Sequence, residues 1–179
     1  MDQLNLNLDN ALDFVDKKRF EQYDKTTKDI IKNLEQNSSD PSSFLGWLNL
    51  PSKTEESKIQ EINQTAKAFR ENLDTLVVIG IGGSYLGSKA VIEALFPFFK
   101  TNKNHPEVIF AGHNIDEDYH YELTELLSER EYGIVVISKS GTTTEPGIAF
   151  RIFKQHLEDK VGKDEASRRI IAITDARKG

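Results

Sequence analysis

From Asp74 onward, four apolar runs alternate with segments whose apolar residues recur at helical spacing. The runs lie at 76–80, 107–112, 133–138 and 170–174, and the helical segments near 85–96, 117–130 and 145–159. A run that is apolar throughout suits a strand covered on both faces. Such strands separated by helices imply βαβ crossovers and an α/β fold, a doubly wound parallel sheet. In the order 2-1-3-4, the first and third strands are neighbours, and a crevice opens between their carboxyl ends. Sheets of this kind usually have five strands or more. Here the fourth run ends five residues before the C-terminus. The expectation is a sheet that stops short, with 170–174 as an uncovered apolar edge.

Residues 1–73 read as a helical segment preceding the α/β domain at 74–179. Leu8, Ala11, Leu12 and Val15, then Ile30, Ile31 and Leu34, recur at helical spacing. "QNSSDPSS", 36–43, is a break, with Asp40-Pro41 as its stop. "FLGWLNLP", 44–51, is a short apolar piece ended by Pro51. A third helix is expected from about Thr54 to Glu71, with Thr54 as N-cap and Glu55 and Glu56 in the first turn.

Composition excludes several function classes. The chain has 179 residues, enough to bury a core without staples. With no cysteine there is no disulfide, thiolate nucleophile or zinc ribbon, which fits a reducing compartment. No apolar run approaches the ~20 residues of a membrane span. The charged start "DFVDKKRFEQYDK" is not a signal peptide. A net charge of −6 argues against nucleic acid as a partner. Against that acidic background, no Asp or Glu occurs from Leu76 to Ile92 or from Gly133 to Thr144.

The first gap holds "LVVIGIGGSYLGSKAVIEAL", 76–95. It fits no standard glycine motif. A dinucleotide fingerprint counted from Gly80 puts Tyr85 at the third glycine. A Walker loop from Gly82 to Gly87 has its lysine one place late, and no hydroxyl follows it. A nucleophile elbow has Leu86 at its last glycine. What the three motifs share remains. Glycines permit positive φ and close backbone approach. A helix starting near Ser84 would present N–H groups and a positive dipole end to an anion, with the Ser84 hydroxyl beside them. The same residues also suit a plain tight turn with Ser84 as cap.

The second gap, "GIVVISKSGTTTEPGIAF", 133–150, has the same plan. Five hydroxyls and Lys139 occupy the seven positions from Ser138 to Thr144, before a helix with Pro146 in its first turn. Hydroxyls donate and rotate, which suits a tetrahedral oxyanion. An N-cap at Thr144 would account for one of the five. In a parallel sheet of this order, both turns would face one pocket.

"GIGGSYLGS", 80–88, and "SKSGTTTEP", 138–146, together resemble the phosphate-holding loops of the glucose-6-phosphate isomerase family in its bacterial form. "GWLNLP", 46–51, and "ITDARKG", 173–179, are similar to the same family. The resemblance implies a sugar isomerase (SIS) domain at 74–179. It implies a cytoplasmic homodimer that interconverts glucose 6-phosphate and fructose 6-phosphate through a cis-enediol, with no metal or organic cofactor. Carried over residue by residue, Gly83 and Ser84 would meet the substrate, and Ser138, Ser140 and Thr143 its phosphate. Lys139 would line the site, and Thr142 would serve either phosphate or loop. The family's catalytic glutamate, histidine, lysine and arginine would lie beyond Gly179, so no catalytic residue is expected in this chain. The chain would then bind sugar phosphate weakly without turning it over. The alternative is a non-enzymatic SIS-type phosphosugar sensor, which would need no base.

Other features read plainly. "HNIDEDYH", 113–120, fits no standard metal-ligand spacing and suits a solvated loop entering a helix. His105 and His156 read as lone surface residues, and 156–169 as a solvated charge run. "ALFPFF", 94–99, reads as core, with Pro97 ending its helix.

Overall fold

The computed structural model describes residues 5–39, 45–96 and 105–175. The expected stop at Asp40-Pro41 and the helix end at Pro97 lie outside them. The chain divides into two compact units, Met1–Ile59 and Gln60–Gly179.

The first unit is helical: α1 (Asp9–Leu12), α2 (Lys17–Asn37), a 3₁₀ turn (Gly46–Asn49), α3 (Leu50–Lys53) and the start of α4 (Glu56–Asn72). Asp16 caps α2, accepting from the N–H groups of Lys18 (2.9 Å) and Arg19 (3.4 Å). Two local expectations are corrected. Pro51 opens α3 instead of ending the apolar piece, because a first-turn residue needs no N–H. Thr54 does not cap α4; its hydroxyl donates back to the Leu50 carbonyl (2.8 Å), closing α3.

The second unit carries the parallel sheet. Its strands are β1 (Thr75–Ile79), β2 (Glu107–Ala111), β3 (Tyr132–Ser138) and β4 (Ile170–Thr174), in the order β2-β1-β3-β4. Helices α5 (Gly83–Leu95), α6 (Glu117–Ser128), α7 (Thr144–Val161) and the short α8 (Lys163–Arg168) make the connections. In register, Thr75 faces Glu107 on one side and Tyr132 on the other, and Ile134 faces Ile170. β1 is buried nearly throughout, as its unbroken apolar run requires.

The core joins Val77, Ile79 and Ile134 of the sheet to Leu123 and Leu127 of α6 and Phe153 and Leu157 of α7. Burying an aliphatic side chain contributes ~1.5–3 kcal/mol, so this layer dominates the unit's stability. Gly133 lets α4 and its exit approach β3: a Cβ there would lie 2.7 Å from Leu73 Cδ1. Asp116 caps α6, accepting from the Tyr119 N–H (2.9 Å). At the other end, the Lys160 ammonium donates to the carbonyls of Leu127 (3.2 Å), Ser128 (2.7 Å) and Arg130 (2.8 Å). A cation on terminal carbonyls also complements the helix dipole.

The segment 156–169 is more ordered than its charges suggest. Positive φ at Gly162 (83°) ends α7 and lets α8 start. Arg169 then pairs with Glu131 and Glu165. His156 is half-buried, not a lone surface group. Its ring stacks on Tyr132 (5.8 Å), with Nδ1 2.8 Å from the phenol oxygen and Nε2 3.1 Å from Ser128 Oγ. No described helix is long and apolar enough to cross a membrane.

Candidate functional site

Both suspected turns sit at carboxyl ends of strands, because every strand of the sheet is parallel. The first runs from Gly80, where the N–H still donates to Ala111 O (3.0 Å). Gly82 takes φ 56° and ψ −127° as the N-cap of α5. That left-handed conformation favours glycine. Gly83 is the first helical residue and Ser84 the second, so Ser84 does not cap the helix. The N–H groups of Ser84, Tyr85 and Leu86 are spent on Ile81 O and Gly82 O at 3.0–3.2 Å. Among the described residues, those of Ile81, Gly82 and Gly83 have no backbone acceptor, so these three are the turn's open donors. Gly80 lets Ser84 sit close: a Cβ there would lie 3.1 Å from Ser84 Cβ.

In the second turn, the hydroxyl oxygens fold onto their own loop. Ser138 Oγ accepts from Gly141 N (3.1 Å). Ser140 Oγ accepts from Thr142 N (3.3 Å) and from the Thr142 hydroxyl (2.9 Å). Those bonds use the serine oxygens as acceptors, so both serine O–H groups keep a proton to donate. Gly141 adopts φ 67°, and Lys139 is exposed. The expected cap at Thr144 moves by one residue: Thr143 is the N-cap of α7 and makes no side-chain capping bond. Its hydroxyl is therefore not committed to the helix it starts.

A hollow of about 190 Å³ adjoins this turn, lined by Ser138, Thr143, Pro146, Phe150, Ala172 and Thr174. It lies on the β4 side of the second turn, outside the expected crevice between β1 and β3. Ligand pockets usually span ~300–1,000 Å³, so it could house only part of a ligand.

One residue near both turns is not among those the sequence singles out. Gly112 follows β2 with φ 76°. A Cβ there would lie 2.8 Å from Ile79 Cγ2, 3.1 Å from Pro146 Cα and 3.4 Å from Gly80 N. The space beside Gly112 that a side chain would need is thus filled by the end of β1, the first residue of one turn and the first helical turn behind the other. The sequence does carry a signal: a glycine ends the second apolar run, as Gly80 ends the first.

Next to it, His113 stacks on Tyr85 of α5 (5.4 Å, 25°), and Tyr85 also meets Phe110 (5.8 Å). Burial, then Lys89, then His120 push the His113 imidazole below its ordinary value. The segment 113–120 forms no metal cluster: among the described residues, no group of three metal-ligating side chains gathers anywhere.

Comparison with known proteins adds a family. A family model described as phosphoglucose isomerase matches residues 54–178. A curated glucose-6-phosphate isomerase of Parabacteroides distasonis is 47% identical over 182 residues, covering 100% of this chain and 41% of its own length. That of Staphylococcus haemolyticus is 44% identical, covering 100% and 40%. The chain thus spans about two fifths of the length of these relatives. Among solved structures, a hypothetical protein of Thermus thermophilus superposes with a TM-score of 0.75 at 25% identity. It covers 90% of this chain and 36% of that one. A glucose-6-phosphate isomerase of Chlamydia trachomatis gives 0.52 at 29% identity, covering 69% and 25%.

Proposed function

Because the chain belongs to the phosphoglucose isomerase family, we propose that its two turns together hold the phosphate of glucose 6-phosphate or fructose 6-phosphate. The observation that carries this reading is the position of Gly112: one Cβ added there would meet both Gly80 N (3.4 Å) and Pro146 Cα (3.1 Å), so the starts of the two turns lie close to a common point. It draws the N-termini of α5 and α7 toward one place. The open N–H groups at 81–83 and the hydroxyls of Ser84, Ser138, Ser140 and Thr143 supply neutral donors. The two helix dipoles supply the field, and no carboxylate interrupts either turn before Glu145. Thr142 is assigned to the loop, since its hydroxyl already serves Ser140. Lys139 supplies a cation at the rim.

Charge-assisted hydrogen bonds contribute about 1.5–3 kcal/mol each. Three or four of them, less the cost of association, correspond to binding between about 1 μM and 1 mM. The isomerisation itself moves a proton between C1 and C2, which needs a base within hydrogen-bond reach. We assign that base to the part of the longer relatives that has no counterpart here. The chain supplies the phosphate grip of an aldose–ketose isomerase that uses no metal or organic cofactor. The homodimer and cytoplasmic setting belong to the same reading.

Calorimetry with fructose 6-phosphate tests it. The chain should bind, and Ser84→Ala and Thr143→Ala should each weaken binding about tenfold or more. Affinity unchanged by both substitutions would overturn the assignment.

A further inference from the structure

The loop from Gly112 to Asp116 joins β2 to α6, and at Gly112 it starts where an added Cβ would meet both Gly80 and Pro146. Its hydrogen bonds fix the state of one histidine. The Asp116 N–H donates to Asn114 Oδ1 (3.1 Å), which turns the Asn114 amide nitrogen toward His113 Nε2 (3.2 Å). An amide NH₂ is only a donor, so Nε2 accepts and the ring proton sits on Nδ1. That Nδ1 is buried and has no partner among the described residues. His120 is only 6% exposed. Its Nδ1 lies 2.6 Å from the Asp116 carbonyl and must donate, while its Nε2 is also buried and, among the described residues, unpartnered. Both rings meet Tyr119 edge-on, at 5.7 and 6.0 Å.

We propose that His113 is a positioning residue for the anion site: neutral, it locks the 112–116 loop against both turns, and protonated, it releases them. The proposal rests on the phosphate-site reading and adds a residue that touches no ligand. A second proton would sit on Nε2 and face the Asn114 NH₂, donor against donor. Asn114 has no free choice to flip, because its oxygen holds the Asp116 N–H. The groups facing the ring offer no counter-charge. From α5 come the Tyr85 phenol and the Lys89 ammonium; from α6 come Tyr119 and His120, while the Asp116 carboxylate is engaged at the helix cap. Release of the loop frees the Gly112 backbone, which sits where a Cβ would meet Gly80 and Pro146, and unstacks His113 from Tyr85 of α5.

The test follows the amides of Gly80, Gly112 and Gly147 by NMR, without anion, from about pH 8 to about pH 5. They should shift together with one midpoint below about 6.5, and the transition should vanish in His113→Gln, whose carbonyl accepts from Asn114 without titrating. An unchanged transition in H113Q overturns the proposal, as do turn amides that ignore pH. The ring ¹⁵N shifts of the unaltered chain give an independent check, since a proton resting on Nε2 at neutral pH overturns it too. Sulfate, a dianion across this range, separates the two claims. Its affinity should fall about fivefold or more on acidification and stay flat in H113Q. A chain that binds no sulfate at neutral pH, yet shows the coupled amide shifts, refutes the phosphate site and leaves the loop device standing.

Discussion

Gly112 concentrates the demands that the site makes on single residues. Its φ of 76° is left-handed, and a side chain there would press on Ile79 and on the Pro146 backbone. Gly112→Ala should therefore cost about 1–3 kcal/mol in denaturant unfolding and weaken sugar-phosphate binding as well. The sequence shows a glycine at that place but not what it meets, because the constraint comes from two residues 33 and 34 positions away, one on each side along the chain. Gly82, by contrast, announced itself, since its positive φ belongs to a local strand-to-helix turn. The histidines were misjudged for the Gly112 reason: burial and partners are tertiary facts. His113 and His156 are both pushed below their ordinary value, first by burial. The unfolded chain then binds more protons than the folded one just below about pH 6.5, so stability rises with pH through that window. Thermal melts should fall as pH drops from about 7 to about 5, and His156→Gln should reduce the slope.

The elements were easier to read than their ends. All four strands lie within a residue or so of their apolar runs, since a strand covered on both faces leaves an unbroken signature. Helix starts moved by one or two residues, because several turn residues can serve as a cap and packing selects one. Pro51 and Thr54 show it: each was assigned to the wrong side of a helix boundary. The contact that ends α6 was not legible at all, since Lys160 lies at least thirty residues from the carbonyls it meets. Lys160→Met should destabilise the chain by about 1–2 kcal/mol, measured by urea unfolding. β4 is the sheet's outer strand among the described residues, with Ile173 53% exposed. An apolar edge of this kind pairs with another chain or frays. Hydrogen exchange should find the amides from Ile170 to Ile173 weakly protected in the monomer, or protected only at concentrations where the chain self-associates. Strong protection in a dilute monomer would contradict this.

At the scale of the molecule, sheet order decides where chemistry can occur. Parallel strands put every βα turn on one face, and the order β2-β1-β3-β4 makes the glycine turn and the hydroxyl turn neighbours. The loop that follows β2 starts at Gly112, where an added Cβ would meet both Gly80 and Pro146. The proposed site is one in which neutral donors and two helix dipoles hold an anion. The most direct measurement is a crystal structure grown from sulfate at neutral pH. The account predicts one sulfate within hydrogen-bond distance of both the Gly83 N–H and the Thr143 hydroxyl. Sulfates bound at one turn alone, or at neither, would contradict it.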